Sequence, residues 1–396
     1  MSWPLVTLAS IAEVVTGNTP SKADDSFFNG DIPFVTPGEL DLGYVNTAKQ
    51  TLTDKGAKVS RLIPANSVMV CCIGSLGKVG ISSKPVVTNQ QINSLVVNEA
   101  LASPLYVYYF CRTLKNTLND MAPKTTVAIV NKTRFSALKI PLPPLETQKQ
   151  IAAVLEKADQ LRKDCQKMEQ ELNSLAQSVF IEMFGDPVTN PKGWIKRELS
   201  EMLSVKHGFA FKSEFFTTEG EYVLLTPGNF KEEGGYWDRA DKQKYYVGEI
   251  PKDYILEKND LLLAMTEQAA GLLGSSILVP ESNKYLHNQR LGLVKFKDNG
   301  QNTVFYSYLF NSKSVRLAIH SSSTGTKVKH TSPTKLEAIQ VGVPPIALQN
   351  DFESIIRTIE LNIMLNNKAK SDYEQSFNAL MQKAFNGELN LGNAKT

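Results

Sequence analysis

Histidine and cysteine are scarce, with four of each in 396 residues. His207, His287, His320 and His330 have no partner three or four positions away, so neither a helical metal pair nor a catalytic triad is indicated. Cys71, Cys72, Cys111 and Cys165 lack metal-ligand spacing and two of them are adjacent, which fits small apolar residues in a reducing, cytoplasmic protein rather than a disulfide framework. Long hydrophobic runs are missing too. The most apolar stretch, 260–280, is broken by Thr266, Glu267, Gln268, Gly271 and Gly274, and the first fifteen residues carry no basic leader, so no spanning helix and no signal peptide is expected. Low-complexity tracts are absent. The Gly74-Ser75-Leu76-Gly77-Lys78-Val79 run looks like a phosphate loop, but two residues separate its glycines where four are needed, and Val79 replaces the magnesium-binding hydroxyl. The double prolines lack the amide and the ring of an amino-methyltransferase motif, so catalysis finds no foothold.

What is present is a soluble composition, 42% hydrophobic and 21% charged, and a repeat. A double proline runs into a long heptad-patterned segment at LPPLETQKQIAAVLEKADQL from Leu142 and again at VPPIALQNDFESIIRTIELN from Val343. An offset of 201 relates Pro143 to Pro344, Gln148 to Gln349 and Phe184 to Phe385, so some 43 residues align without a gap. The preceding segments align more loosely. Trp3, Leu8, Ile11, Val14 and Gly17 match Trp194, Leu199, Met202, Val205 and Gly208; residues 34–40 match 224–230; Asn89-Gln90 matches Asn288-Gln289; Tyr106 and Tyr109 match Phe305 and Tyr308. Such a repeat implies a pseudo-symmetric molecule and a target with two parts.

Short apolar runs at 67–72, 95–97, 261–265 and 291–296 read as strands, and 104–114 with 304–309 as short helices. The expected fold class is α+β, with two pseudo-symmetric mixed α/β domains separated by two long antiparallel helices forming a coiled coil. The expected boundaries are 1–145 and 187–345 for the domains, and 146–186 and 346–396 for the helices. In the first helix the seam is Ile151, Val154, Ala158, Leu161, Cys165, Met168, Leu172, Leu175 and Val179. Thr147 and Gln150 suit a capping box at its start, and Gly185 with Pro187 a stop. In the second helix the seam is Phe352, Ile356, Ile359, Ile363, Asn366, Lys370, Tyr373, Phe377, Leu380 and Ala384, where Asn366 is the kind of residue that sets register. Residues 146–183 would make a helix of roughly 57 Å, longer than a domain core needs, so the pair is expected to act as a spacer.

The net charge of +3 is uninformative, but its distribution is not: 61–139 holds nine Lys and Arg against Glu99 and Asp120, and 284–335 holds nine against Asp298. Each globular segment should therefore have a basic side. Polar and basic loops where strands end supply the DNA-contact candidates. In the first copy these are Asn18, Thr19, Ser21, Lys22, Lys78, Lys124, Thr125, Thr126, Lys132 and Arg134; in the second they are Lys206, His207, Lys212, Thr324, Thr326, Lys327, Lys329 and His330. Lysine and arginine neutralise phosphates and arginine forks onto guanine, while threonine and backbone N–H groups add phosphate bonds.

With these residues in view, the chain resembles a specificity subunit of a type I restriction-modification system over its whole length. The resemblance is carried by IPLPPLETQKQIA (140–152), FIEMFGDP (180–187) and SFNALMQKAFNGEL (376–389), with GNTPSK, TNQQINSL and GKVGI of the first copy in support. The second copy departs from it with LLGSSI and HNQRLGL, so the two domains are expected to read different half-sites. The resemblance implies a non-catalytic subunit without a cofactor of its own, reading a bipartite asymmetric site in double-stranded DNA. It also implies that the helices recruit two methyltransferase (modification) subunits carrying S-adenosylmethionine, and that motor-nuclease (restriction) subunits join them. Two alternatives stay open at this stage: a related system whose partner fuses nuclease and methyltransferase, and a coiled-coil adaptor that binds no DNA.

Overall fold

The computed structural model describes residues 3–40, 43–123, 127–267, 271–325 and 328–391. The chain divides into two compact units, one made of Met1–Lys167 and Asn367–Thr396, the other of Met168–Asn366.

In the first unit a five-stranded sheet has the spatial order Ala12–Thr16, Ile92–Val97, Val68–Cys71, Val79–Ser82, Gly43–Val45. Its first four strands are antiparallel and its last pair is parallel. Val68–Cys71 and Val79–Ser82 are buried along their whole length, and in the first of them this shows as an unbroken apolar run rather than an alternating one. Helix Pro104–Thr113 starts on a proline, whose missing N–H costs nothing there, and packs Tyr106, Val107, Tyr109 and Cys111 into the core. A smaller sheet joins Gln50–Leu52, Phe28–Val35, Val86–Thr88 and Leu62–Ile63. Leu5–Thr7 pairs with Lys139–Pro141, so the start of the globular segment lies beside its end.

The second unit repeats this plan. Leu203–His207, Leu291–Phe296, Leu261–Ala264 and Ser276–Leu278 form an antiparallel sheet in the same order as the first four strands above. Helix Thr303–Asn311 covers it, and Ile195–Glu198 pairs with Gln340–Val343. The structure therefore has the expected α+β class, with mixed sheets, two repeated units and two long helices.

Those helices are Leu145–Phe184 and Ile346–Asn386. Each unit takes the start of one and the end of the other. In the first unit Ile151, Ala152 and Leu155 share a core with Phe377, Met381 and Ala384. In the second, Ala176, Phe180 and Phe184 share one with Phe352, Ile356 and Ile359, and the Phe352 ring lies 5.5 Å from Phe180 and 5.3 Å from Phe184.

The seam of the first helix differs from the expected one. Ile151 and Cys165 are buried and Ala158, Leu172 and Val179 half-buried, but Val154, Leu161, Met168 and Leu175 are 38%, 39%, 51% and 48% exposed. The inward row lies one position later, at Leu155, Arg162 and Ala176. Two adjacent rows share a seven-residue period, and the inner one was hidden because it carries an ionic cluster. On the second helix Phe352, Ile356, Ile359, Asn366 and Phe377 are buried and Ile363 and Leu380 half-buried, while Tyr373 is 36% exposed.

The helix starts also differ in their chemistry. The first helix begins at Leu145, which places Thr147 inside it and leaves the start to Gln148. The buried Gln148 amide accepts from Ser103 N (2.9 Å) and donates to the carbonyls of Pro143 (2.8 Å) and Leu101 (3.3 Å). In the second copy Gln349 accepts from Asn302 N (3.0 Å) and donates to Pro344 O (2.9 Å). One side chain thus ties each double proline to the loop ahead of the sheet-covering helix. Gly185, at φ +72°, ends the first helix in a conformation that suits glycine.

Gln148→Ala should cost about 3 kcal/mol in equilibrium unfolding, because it strands buried backbone groups. A loss below about 0.5 kcal/mol would show that the clamp is dispensable. A second test uses the buried Asp159, which faces Arg112 (3.1 Å), Arg162 (2.8 Å) and Lys163 (2.9 Å). Burial pushes its carboxyl up, but Arg112, Lys163 and Arg162 outweigh that and hold it below the ordinary value. A depressed carboxylate stabilises the fold above its unfolded value and loses that contribution as pH falls through the folded one. Asp159→Asn should therefore be less stable than the natural chain at neutral pH, and the gap should close below about pH 4. A gap that widens on acidification would contradict the sign.

Candidate nucleic-acid interface

Strand register gathers the candidate loops of the first unit. Asn93 pairs with Thr16 and Val70, Ile92 with Cys71, and Val70 with Val79, so the loop after Thr16, the loop before Ile92 and the turn between Cys71 and Val79 emerge at one end of the sheet. They are stitched together there. Gly17 N donates to Ile92 O (3.1 Å), Cys72 N to Gln91 O (2.8 Å), Thr19 Oγ1 to Gln90 Oε1 (2.7 Å) and Gln91 Nε2 to Ile73 O (3.3 Å). A further segment joins through Gly74 N to Ala128 O (2.9 Å) and Val130 N to Cys72 O (2.9 Å). It leads into helix Lys132–Ser136, whose first turn is capped by Asn131 accepting from Arg134 N (2.9 Å).

The second unit builds the same end. Phe209 N donates to His287 O (2.9 Å), Gln289 N to Phe209 O (2.9 Å) and Met265 N to Arg290 O (3.0 Å). Thr266–Glu267 pairs with Lys329–His330, and Thr331 N reaches Met265 O (3.0 Å). Gly17 and Gly208 mark two equivalent close crossings. A Cβ would sit 2.3 Å from Asn89 O at the first and 2.0 Å from Asn288 O at the second, so only glycine allows the loops to close.

The candidates fall into three groups. Ser21, Lys22, Lys132, Arg134, His207, Lys212, Thr324 and His330 are exposed at these loop ends. Asn18, Thr19, Lys78, Lys206 and Lys329 are half-buried. Asn18 Nδ2 donates to Val59 O (3.3 Å), and Lys78 lines a cleft with Arg112, Lys115 and Asn119. Lys206 donates to Asp253 O (3.0 Å) and stands 4.4 Å from the Tyr254 ring centroid, so its charge serves the unit itself; Lys212 lies 3.9 Å from Glu214. Lys124, Thr125, Thr126, Thr326 and Lys327 lie outside the described residues.

Sequence reasoning missed the groups that shape the second unit's long loop. The buried Glu267 carboxylate accepts from the backbone N–H groups of Gly271 (3.1 Å), Leu272 (3.0 Å) and Leu273 (2.8 Å). Arg316 donates to Leu273 O (2.8 Å), Glu232 O (3.0 Å) and Gly271 O. The available signal was an acid inside the most apolar run, a place where an unpaired carboxylate is too costly to keep. Gln289 and Arg290 are also exposed at the loop tip. His287 is the opposite case: fully buried, its Nε2–H donates to Leu291 O (3.0 Å), and burial pushes it down to about 4, so it is neutral and structural.

A family model for the type I restriction modification DNA specificity domain matches the chain twice, over residues 2–175 and 191–374. The chain belongs to that family, as the sequence resemblance implied. The type I restriction enzyme MjaIX specificity subunit of Methanocaldococcus jannaschii is 24% identical over 424 residues, spanning 98% of this chain and 94% of the relative. The HindI specificity subunit of Haemophilus influenzae is 30% identical over 164 residues, covering 39% of this chain and 36% of the relative. The crystal structure of a type I restriction-modification S subunit from M. genitalium has a TM-score of 0.59 at 16% identity, covering 97% of this chain and 96% of the other. A chain from a structure addressing assembly and conformational transition of the type I system has a TM-score of 0.62 at 16% identity, covering 98% of each. These two likenesses concern the fold.

Gly208→Ala is expected to destabilise the protein by about 3 kcal/mol or more, since the neighbour it would strike is backbone. Denaturant unfolding checks this, and an unchanged midpoint would mean that the loop closes without the close approach.

Proposed function

We propose that the chain is the DNA-sequence-specificity subunit of a type I restriction-modification complex, each unit reading one half of a bipartite asymmetric site with the loops at its sheet end. The observation that carries this reading is the recurrence of one loop-bearing sheet end in both copies of the specificity domain, with different side chains on each. Lys22, Lys132 and Arg134 serve the first copy, and His207, Lys212, Thr324 and His330 the second. Flexible cations suit phosphates, and the arginine fork and polar tips suit base edges. Two copies that share scaffolding but not loop chemistry would read two different sequences.

In this reading residues 1–145 and 187–345 are the target-recognition domains, and 146–186 with 346–396 the partner-binding helices. These helices recruit two methyltransferase subunits, and motor-nuclease subunits join the assembly for restriction. The outward Val154 and Leu161 of the first unit, and Met168 and Leu175 of the second, support partner binding on the central helix. The subunit itself is non-catalytic, and methyl transfer and cleavage belong to its partners. The complex is assigned to the cytoplasm, whose reducing conditions suit four buried cysteines that form no disulfide among the described residues. Among the described residues no helix is long and apolar enough to cross a membrane.

Affinity for a cognate duplex should fall steeply with salt, each neutralised phosphate adding about 0.9 to the log–log slope. Replacing Lys22 and Lys132 together by alanine should flatten that slope by about two such increments. A slope indifferent to salt would exclude the DNA-reading role. Exchanging residues 1–145 for those of another family member should alter one half of the methylated motif, and alteration of both halves would contradict the division of labour.

A further inference from the structure

Both units carry an acid at the same place on their long helices, but only one acid has its partners. In the first unit Asp159 lies within 3.1 Å of Arg112, 2.8 Å of Arg162 and 2.9 Å of Lys163. The Arg112 guanidinium also stands 4.8 Å from the Phe377 ring centroid and 5.7 Å from those of Tyr108 and Tyr109. A Cβ at Gly43 would come within 3.0 Å of Lys163 Nζ, so the space is full.

The repeat locates the same position in the second unit. The helix offset of 201 carries Asp159 to Glu360, Arg162 to Ile363, Lys163 to Met364 and Phe377 to Ala176. The offset of 199 in the sheet-covering helix carries Arg112 to Asn311 and Tyr109 to Tyr308, and the Gly43-Tyr44 pair recurs as Gly235-Tyr236. The acid has been kept while all three cations and the phenyl ring beneath the guanidinium have gone. Among the described residues no cation pairs with Glu360; Arg357, on the same helix, is paired with Glu353. Unlike the buried Asp159, Glu360 is an exposed residue at the rim of its helix; the packing around its carboxyl and the nearby Glu353 outweigh Arg357 and lift it above its ordinary value. Asn311 is turned away, bonded to Ser276 N and Oγ at 2.9 Å each. A cleft of about 800 Å³ remains, lined among others by Ala176, Tyr308 and Glu360 and, further along its wall, by Glu233, Lys231 and Lys313, neither lysine being ion-paired with Glu360 among the described residues; a Cβ at Gly235 would meet nothing within 4 Å.

We propose that this cleft is a socket for an arginine side chain of a partner polypeptide, its guanidinium paired with Glu360 and laid against Tyr308, in the place that Arg112 fills in the first unit. Arginine fits better than lysine because a planar fork pairs two-pronged with a carboxylate while its face stacks on a ring. Tyr308 is a firm platform, stacked 6.1 Å from Phe180 and edge-on 5.1 Å from Phe352. The volume exceeds one guanidinium and leaves room for flanking backbone, which points to a polypeptide rather than a small amine. None of the loop residues assigned to DNA takes part, so the socket stands or falls apart from that reading.

The test is titration of the full-length chain, followed by calorimetry, with three probes: acetyl-Ala-Arg-Ala-amide, its lysine counterpart, and agmatine. Saturable binding is expected, with the arginine peptide about tenfold tighter than either other probe. Glu360→Gln should weaken it about tenfold. Ala176→Phe, which restores the ring that lies beneath the guanidinium in the first unit, should tighten it severalfold; this second variant covers the case in which Glu360→Gln fails to fold, and circular-dichroism melting identifies that case. Equal affinity for the arginine and lysine peptides would overturn the guanidinium assignment, and agmatine as tight as the peptide would overturn the polypeptide. Absent binding, or binding indifferent to the folded variants, would overturn the site.

Discussion

A buried glutamine at the start of each long helix is the constraint on which the architecture turns. The double proline ahead of each helix supplies no N–H groups and leaves the first proline's carbonyl to be satisfied from elsewhere, and a globular segment that ends there must fix the direction of departure. Gln148 and Gln349 meet both needs, because one amide accepts from the loop ahead of the covering helix and donates back to the proline carbonyl. The helix axis is thereby locked to the sheet it leaves. Everything placed by the helices, including the cores shared with Phe377 in one unit and Phe352 in the other, inherits that direction.

Much of this was legible in the sequence, for reasons tied to particular residues. Strands such as Val68–Cys71 and Leu261–Ala264 are buried over their full length, so their apolar runs survive without alternation. The repeat was readable because backbone demands, such as the close crossings at Gly17 and Gly208, hold residue identity fixed. The first helix's seam was not readable, because its inner row substitutes ionic for apolar chemistry. Arg162 and Asp159 look like surface residues until Arg112, some fifty positions earlier in the chain, is brought beside them. Pairings across long sequence separations leave no periodic trace.

The candidate contacts were legible as a set and less so as individuals. Loops at strand ends reveal themselves by glycine, asparagine and threonine, and the register brings them together as the repeat suggested. What a cation does at such a place depends on its neighbours. Lys206 has the same composition signal as Lys212, but it lies against Tyr254 and donates to Asp253 O, whereas Lys212 stands in solvent. Glu267 and Arg316 carried the weakest signal of all, since they act on backbone groups of a loop and have no counterpart in the first copy's shorter turn.

The small ribbons at the base of each unit have a consequence for how such proteins diversify. Leu5–Thr7 against Lys139–Pro141, and Ile195–Glu198 against Gln340–Val343, bring entry and exit of each globular segment side by side. A stretch of gene whose product starts and finishes at one point can be spliced out and replaced by recombination without disturbing the scaffold on either side. The same adjacency would tolerate circular permutation, because joining neighbouring ends needs only a short bridge.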